Sequence, residues 1–397
     1  MQTNILFITW DGPQTNYMEG LFMPIFSRIQ QNSNSTFHII QFTWASSEKI
    51  TITQKAAQEL NIIYTKRTIE RQPVPTIGNL FTIYNGITFL KNYIKDYDIT
   101  IVMPRSTMPA IMVNQISKSN FKILFDADGL PLEERVDFSG LSKKSWSYKF
   151  LKNQEKKMLL VANGVITRSN QSIDFHLASN SKLDRKKFSV VYNGRDSQVF
   201  MPNTSIRENK RSHLAISKET TVFVYSGSLG LQYGFDEMIA IFSEFCKINS
   251  KAVFLILTGS IEFAKDRIPI ELSKKCIVKL VPFEEIPSYL SVADIAFAIR
   301  EPKFSMQGVA PIKLGEYLLM GIPTIASAGI GDTEQILKNI PNCYLYDHEN
   351  NNRIHDTVAS IEGLLLSDRN EIRKVALNYF TIEKSVESYL IAFEKLK

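Results

Sequence analysis

Short apolar runs alternating with longer stretches of helical spacing are the feature that most constrains this chain. In its first half they fall at 4–9, 36–43, 61–65, 99–103, 122–126, 164–167 and 188–192. In its second half they fall at 221–226, 252–258, 277–281, 295–299, 323–326 and 343–346. Runs of this length and character read as strands of a parallel sheet covered by helices on both faces. Each half holds enough strands for its own sheet, and 397 residues are too many for one typical core. The predicted fold class is therefore α/β, with two tandem Rossmann-like domains. The boundary is placed at Asn193-Gly-Arg-Asp, before a polar stretch at 202–217, which gives domains 1–195 and 196–378. Residues 379–397 read as a helix, with Val386, Tyr389, Leu390 and Phe393 at helical spacing. Such a pair of domains predicts a catalytic cleft between them, at the carboxyl ends of the strands.

The hydrophobic fraction of 44% and charged fraction of 22% are those of a soluble globular protein. Three scattered cysteines form no CxxC pair, and five histidines show no HxxxH or HxxEH spacing. No disulfide framework and no protein-ligated catalytic metal are expected. The N-terminus has no basic segment or long apolar region, and no apolar stretch approaches the roughly 20 residues of a membrane span. A cytoplasmic location is expected. The net charge of +6 is unevenly spread: residues 141–190 hold 11 Lys/Arg against three acids, a local +8, which leaves −2 for the rest (+6 minus +8).

Three loops carry candidate chemistry. Trp10-Asp-Gly-Pro-Gln-Thr-Asn leaves the first strand and places Gly12 where a doubly wound sheet presents backbone amides, or where a tight turn simply needs glycine. Tyr225-Ser-Gly-Ser-Leu-Gly ends the first strand of the second half ahead of a helix. Its small residues Ser226, Gly227 and Ser228 suit a diphosphate approaching backbone N–H groups, although the spacing is neither GxGxxG nor a P-loop. The longest runs from Arg300 to Thr324. There a loop with three cations, Arg300, Lys303 and Lys313, enters a helix near Pro311 that carries Glu316. A glutamate on a helix is ordinarily just solvated; this one also stands where it can accept hydrogen bonds from two ribose hydroxyls.

Pro311-x-Lys-x-x-Glu-Tyr-x-x-x-Gly-Ile-Pro resembles the donor-site signature of family 4 glycosyltransferases. Three further stretches agree in order and spacing: Glu155-Lys-Lys with Ala162-Asn-Gly-Val-Ile-Thr-Arg-Ser, Val191-Tyr-Asn-Gly-Arg-Asp, and Tyr225-Ser-Gly-Ser-Leu-Gly. The resemblance covers nearly the whole chain. It implies a GT-B fold, retention of anomeric configuration, no essential metal or other cofactor, and a nucleotide-diphosphate sugar, most simply a UDP-sugar, as donor. Glu316 would bind the ribose, and the backbone at Gly308, Val309 and Ala310 would hold sugar and phosphates. Gly259 and Phe283 complete the implied donor set with Gly12, Ser226, Gly227, Ser228 and Lys313. The final helix would pack on the first domain. The chain departs from the family pattern at Gly308, where many relatives have glutamate, and at Gln232-Tyr233-Gly234, where many have Lys-Gly. Arg300, Lys303 or Lys313 would supply the missing cation. Asp128 takes the place of a histidine, so the implied catalytic set is Asp128, Arg300 and Lys303.

The acceptor is expected in first-domain loops at 14–18, 67–79 and 105–109, with Asn16, Arg105 and Arg168 as its polar contacts. A lipid-linked saccharide on a route to surface polysaccharide is the expected class. Three other readings stand beside this one. Asp126-Ala-Asp128 also fits a metal-binding DxD. The segment 143–157, with Lys149, Lys152 and Lys156 on one face beside Trp146 and Phe150, suits either solvent or the anionic inner face of a membrane. Nucleic acid is not expected, because no binding module accompanies the charge. The fold would also serve a nucleotide-sugar epimerase or a domain that binds donor without turnover.

Overall fold

The computed structural model describes residues 2–13, 16–117 and 120–396. The chain forms two compact units, Met1–Asn193 with Ile382–Lys397, and Gly194–Thr381.

The first unit is a seven-stranded parallel sheet in the order β3-β2-β1-β4-β5-β6-β7. Its strands are β1 (Thr3–Asp11), β2 (Ser35–Thr43), β3 (Ile63–Thr68), β4 (Ile101–Pro104), β5 (Lys122–Asp128), β6 (Gly164–Thr167) and β7 (Phe188–Val190). The central strands are apolar on both faces because helices cover both, and Leu6, Ile8, Ile40 and Val102 share one buried cluster. β3 begins two residues later than the apolar run suggests. The preceding helix is still closing there: Ile62 N–H returns to the Ala57 carbonyl (2.9 Å), and Asn61 turns the chain with a φ of 56°. At the other end of the sheet the β5–β6 register shifts between Asp126 and Asp128, and Asp128 takes a φ of 62°. The helix Ile382–Glu394 packs on this unit, with Tyr389 edge-on to Phe26 (5.8 Å) and Phe393 against Phe37 (6.2 Å).

The second unit is a six-stranded parallel sheet in the order β10-β9-β8-β11-β12-β13. Its strands are β8 (Val222–Ser226), β9 (Val253–Leu257), β10 (Cys276–Lys279), β11 (Ile295–Ala298), β12 (Thr324–Ser327) and β13 (Tyr344–Tyr346). The unit ends lie a few residues from the expected 195/196 and 378/379. Arg195 pairs with Thr381 and donates its N–H to the Phe380 carbonyl (2.8 Å), so both segments belong to this unit. Gly321 closes the helix Ile312–Leu319 with a φ of 65°, and a Cβ there would collide with the Arg369 carbonyl oxygen. Gly321→Ala is therefore expected to destabilise the chain by about 2–4 kcal/mol, read from urea unfolding.

The basic segment differs from its helical-wheel reading. In the helix Trp146–Val161, Lys152 turns inward and is held by Glu133 (3.0 Å) and Glu155 (2.5 Å), both buried. Two buried carboxylates need a cation, and Lys152 is the one in reach. Lys149 and Lys156 stay exposed, so the expected three-lysine face holds two. Trp146 lies over Phe150 (5.4 Å, 14°) on the outside of the helix. No described helix is long and apolar enough to cross a membrane.

Candidate functional site

In the second unit β8 ends at Ser226, and the loop beyond it leads into the helix Phe235–Ile248. Gly227 has a φ of 154°, and the Lys313 side chain lies 3.8 Å from where a Cβ would stand on it. The loop amides are spent differently from the expectation. Ser226 N–H donates to the Tyr317 hydroxyl (2.8 Å), Gly227 N–H to the Leu257 carbonyl (2.9 Å) and Leu229 N–H to Ser260 Oγ (3.3 Å). Ser228 serves through its carbonyl, which accepts from the Tyr225 hydroxyl (2.5 Å). These bonds shape the loop and occupy three of its amides. The helix Ile312–Leu319 begins at Pro311 with no side-chain cap, so its first-turn amides and Lys313 are also able to meet a phosphate.

Glu316 lies four residues into that helix and is fully buried. Its Oε1 accepts from Arg195 Nε (2.9 Å) and its Oε2 from Lys313 Nζ (2.9 Å). Burial alone would raise its pKa. Lys313 and Arg195 outweigh burial and hold the carboxyl below its usual range, so it is ionised at neutral pH. The Arg195 guanidinium also lies over the Phe283 ring (5.4 Å). Phe283, Arg195, Glu316, Lys313 and Gly227 thus form one continuous row. Arg195 is one residue to which sequence reasoning gave no role: it stands there only within the boundary segment Asn193-Gly-Arg-Asp. Tyr317 was the other, quoted in the motif without a role, and it locks the Ser226 amide.

The remaining expected groups of this unit lie around the row. Arg300 covers the Tyr233 ring (4.7 Å), and its backbone N–H and carbonyl are both held by Ser327 Oγ (2.9 Å each). Lys303 is exposed, Gly308 is buried, and Val309 and Ala310 are half-buried ahead of Pro311. Gly259 is exposed at the end of β9. Among the described residues, one set can approach a cation: ligand atoms of Glu237, Glu301 and His348 lie within 4.8 Å of one another. Glu237 is paired with Arg353 (3.2 Å), and His348 Nε2 is bonded to Ser327 (2.9 Å), so the set already serves as an ion-pair network.

In the first unit, Asp126, Asp128, Arg105 and Arg168 meet at the carboxyl ends of β4, β5 and β6. Asp126 Oδ2 receives Arg168 Nη2 (2.7 Å) and lies 3.8 Å from Arg105 Nε, while Asp128 N–H reaches Asp126 Oδ1 (3.0 Å). Asp128 Oδ2 receives Arg105 Nη2 (2.6 Å). Arg168, expected to contact an acceptor, is buried in this cluster, with Nη2 on Asp126 and Nε 3.6 Å from Asp128 Oδ1. Asp128 and Arg105 are the partly exposed members. The two carboxylates of the DxD pair face two guanidiniums, so each has a cationic partner within the chain. Asn16 is exposed and accepts from Lys49 (2.6 Å). Gly12 follows β1, where an added Cβ would stand 3.8 Å from the Trp44 ring, and residues 14–15 of the expected acceptor loop lie outside the described residues.

No family model and no curated protein sequence matches the chain. Solved structures match it over its whole length. A glycosyltransferase from Rickettsia africae aligns at 18% identity and a TM-score of 0.70, covering 100% of this chain and 99% of that one. HepE of Anabaena in complex with UDP-glucose aligns at 13% identity and 0.72, covering 99% and 100%. A putative UDP-N-acetylglucosamine 2-epimerase from Listeria monocytogenes aligns at 11% and 0.60, covering 99% and 96%. At these identities the likeness is one of fold. With its two parallel sheets, of seven and six strands, the chain has the GT-B fold of solved glycosyltransferase structures.

Proposed function

We propose that this chain is a retaining glycosyltransferase of the family 4 type, moving a hexosyl or related sugar from a UDP-sugar to a saccharide acceptor. The observation that carries this reading is Glu316: a buried, ionised carboxylate fixed between Arg195 and Lys313, next to Gly227 and one turn from an uncapped helix N-terminus. Ionised carboxylates accept strong hydrogen bonds from vicinal hydroxyls, and a ribose offers two. Phe283, beneath Arg195, would take the base.

In this reading, departure of the nucleoside diphosphate builds negative charge that Lys313, Arg300 and the first-turn amides of Ile312–Leu319 stabilise. The C1–O bond to the diphosphate breaks and the acceptor oxygen bonds to C1 on the same face. The acceptor's proton passes to the departing phosphate oxygen. Asp128, which carries the Arg105 ion pair, would orient the acceptor hydroxyl. No metal or other cofactor is required by this scheme. The acceptor class that fits is a lipid-linked saccharide of surface glycan synthesis.

Calorimetry with UDP, GDP, ADP and CMP, with EDTA present, tests the donor site. UDP is expected to bind with a Kd in the micromolar range, roughly −7 to −8 kcal/mol, and the others more weakly. Absence of binding to all four would sink the transferase reading. An epimerase would interconvert UDP-sugars without an acceptor, whereas this reading expects UDP release to rise when an acceptor saccharide is added.

A further inference from the structure

The helix Pro75–Asp96 presents an unusual face to solvent. Residues 75–90 include no charged side chain. Ile77, Leu80, Phe81 and Tyr84 are 48%, 59%, 63% and 74% exposed, and Val74 just ahead of the helix is exposed as well. Spaced i, i+3, i+4 and i+7, the four share an arc of about 100°. Isolated exposed apolar residues are ordinary, but a contiguous stripe of four large ones on one helix is not.

The stripe cannot turn inward. A Cβ at Gly78 would collide with the Glu70 carbonyl oxygen, so the opposite face of the helix is locked on the chain behind it. The Thr82 hydroxyl accepts from Glu70 N–H (2.9 Å) and donates to the Gly78 carbonyl (3.0 Å). Ile83, Gly86 and Leu90 fill the core side.

Its borders are basic. From β3 to the end of the helix, residues 63–96 contain Lys66, Arg67, Arg71, Lys91 and Lys95 against Glu70 and Asp96, a net of +3 (five minus two). Arg71 lies over Trp44 (4.6 Å) and Arg67 over Phe89 (4.3 Å), which keeps guanidiniums beside apolar surface. Because the helix joins parallel strands β3 and β4, its first turns stand at the carboxyl edge of the sheet, the edge that carries Arg105 and Asp128.

We propose that this face docks the chain on an anionic bilayer, with Ile77, Leu80, Phe81 and Tyr84 at the acyl boundary and the flanking cations among the headgroup phosphates. Docking would bring the carboxyl edge of the first sheet to headgroup level, where an amphiphilic acceptor presents its polar end. Only that last consequence rests on the glycosyl-transfer reading; the docking itself does not. An apolar protein partner or a second copy would match the stripe but not its basic border.

The test is co-sedimentation of the full chain with vesicles of phosphatidylcholine alone and of equimolar phosphatidylcholine and phosphatidylglycerol. Wild type is expected to bind the anionic vesicles and to release with salt. Leu80→Ser/Phe81→Ser is expected to lose roughly a hundredfold in partitioning, with its thermal melt and UDP binding unchanged. Lys143→Gln/Lys144→Gln/Lys149→Gln is expected to keep most of the binding. Wild type that fails to sediment with anionic vesicles while still binding UDP overturns the docking alone. So does vesicle binding that survives the double serine substitution or is lost only in the lysine triple variant. A dimer in sedimentation velocity that Leu80→Ser/Phe81→Ser dissociates, without vesicle binding, assigns the stripe to a second copy and overturns it too.

Discussion

Glu316→Gln is expected to lower UDP affinity by on the order of a hundredfold or more and to destabilise the chain by about 3–5 kcal/mol. Both effects come from the same carboxylate. Hydrogen bonds from ribose hydroxyls to a charged acceptor contribute about 1.5–3 kcal/mol each, and an amide replaces that acceptor with one weaker oxygen and a donor. The stability loss arises because Arg195 is itself buried and would keep its charge without its partner. The two effects separate in a double variant. Glu316→Leu/Arg195→Met replaces a buried ion pair with apolar side chains of similar size, a change that is often neutral or stabilising. It is expected to recover much of the melting temperature and none of the UDP binding. If both variants bound UDP as wild type does, the ribose role would be wrong and Glu316 would be purely structural.

The same pair sets a pH dependence. The Glu316 carboxyl lies below its usual 4.5 in the folded chain, so protonation favours the unfolded state. Its contribution to stability is complete above about pH 4.5 and is lost as pH falls through the lower folded value. The acid limb of the stability profile should therefore be flatter in Glu316→Gln than in wild type.

How much of this was legible beforehand depended on the range of the interaction. The strands were readable because burial on both faces leaves a local trace, a short apolar run between helical stretches. Glu316 was readable because the proline, lysine and glutamate of its helix fall within six positions. Its partner Arg195 lies 121 positions away, and charge pairing across that distance leaves no period in the sequence. The bonding within the loop at 226–234 was hidden for a related reason. Ser-Gly-Ser suggests free amides, but Tyr317, 91 positions on, takes the first of them. Lys152 looked solvent-facing on its own helix because Glu133 comes from another. Residues 75–90 carry no charge to mark a solvent side, so packing decides which apolar side is covered, and there Gly78 decides it.

A comparable effect is expected in the first unit, from Asp126→Ala. Asp126 is fully buried and is the main counter-charge to the buried Arg168, with Arg105 close by. Removing it leaves at least one uncompensated guanidinium in the interior, at a cost of about 3–5 kcal/mol in urea unfolding. Asp128→Asn should behave differently. Asn tolerates the left-handed backbone at that position, and the ion pair it removes is partly exposed, so the cost should be about 1 kcal/mol or less. Transfer to acceptor, by contrast, should fall in Asp128→Asn while UDP binding stays unchanged. The contrast also decides between an ion-pair cluster and a DxD metal site. Carboxylates that hold a divalent cation would make the wild-type melting temperature rise with Mg²⁺ or Mn²⁺ and fall with EDTA, and Asp126→Ala would abolish that response. Carboxylates already neutralised by Arg105 and Arg168 gain nothing from a second positive partner. A melting temperature indifferent to both reagents, together with a large loss in Asp126→Ala, is the signature of arginines doing the work that a metal does elsewhere.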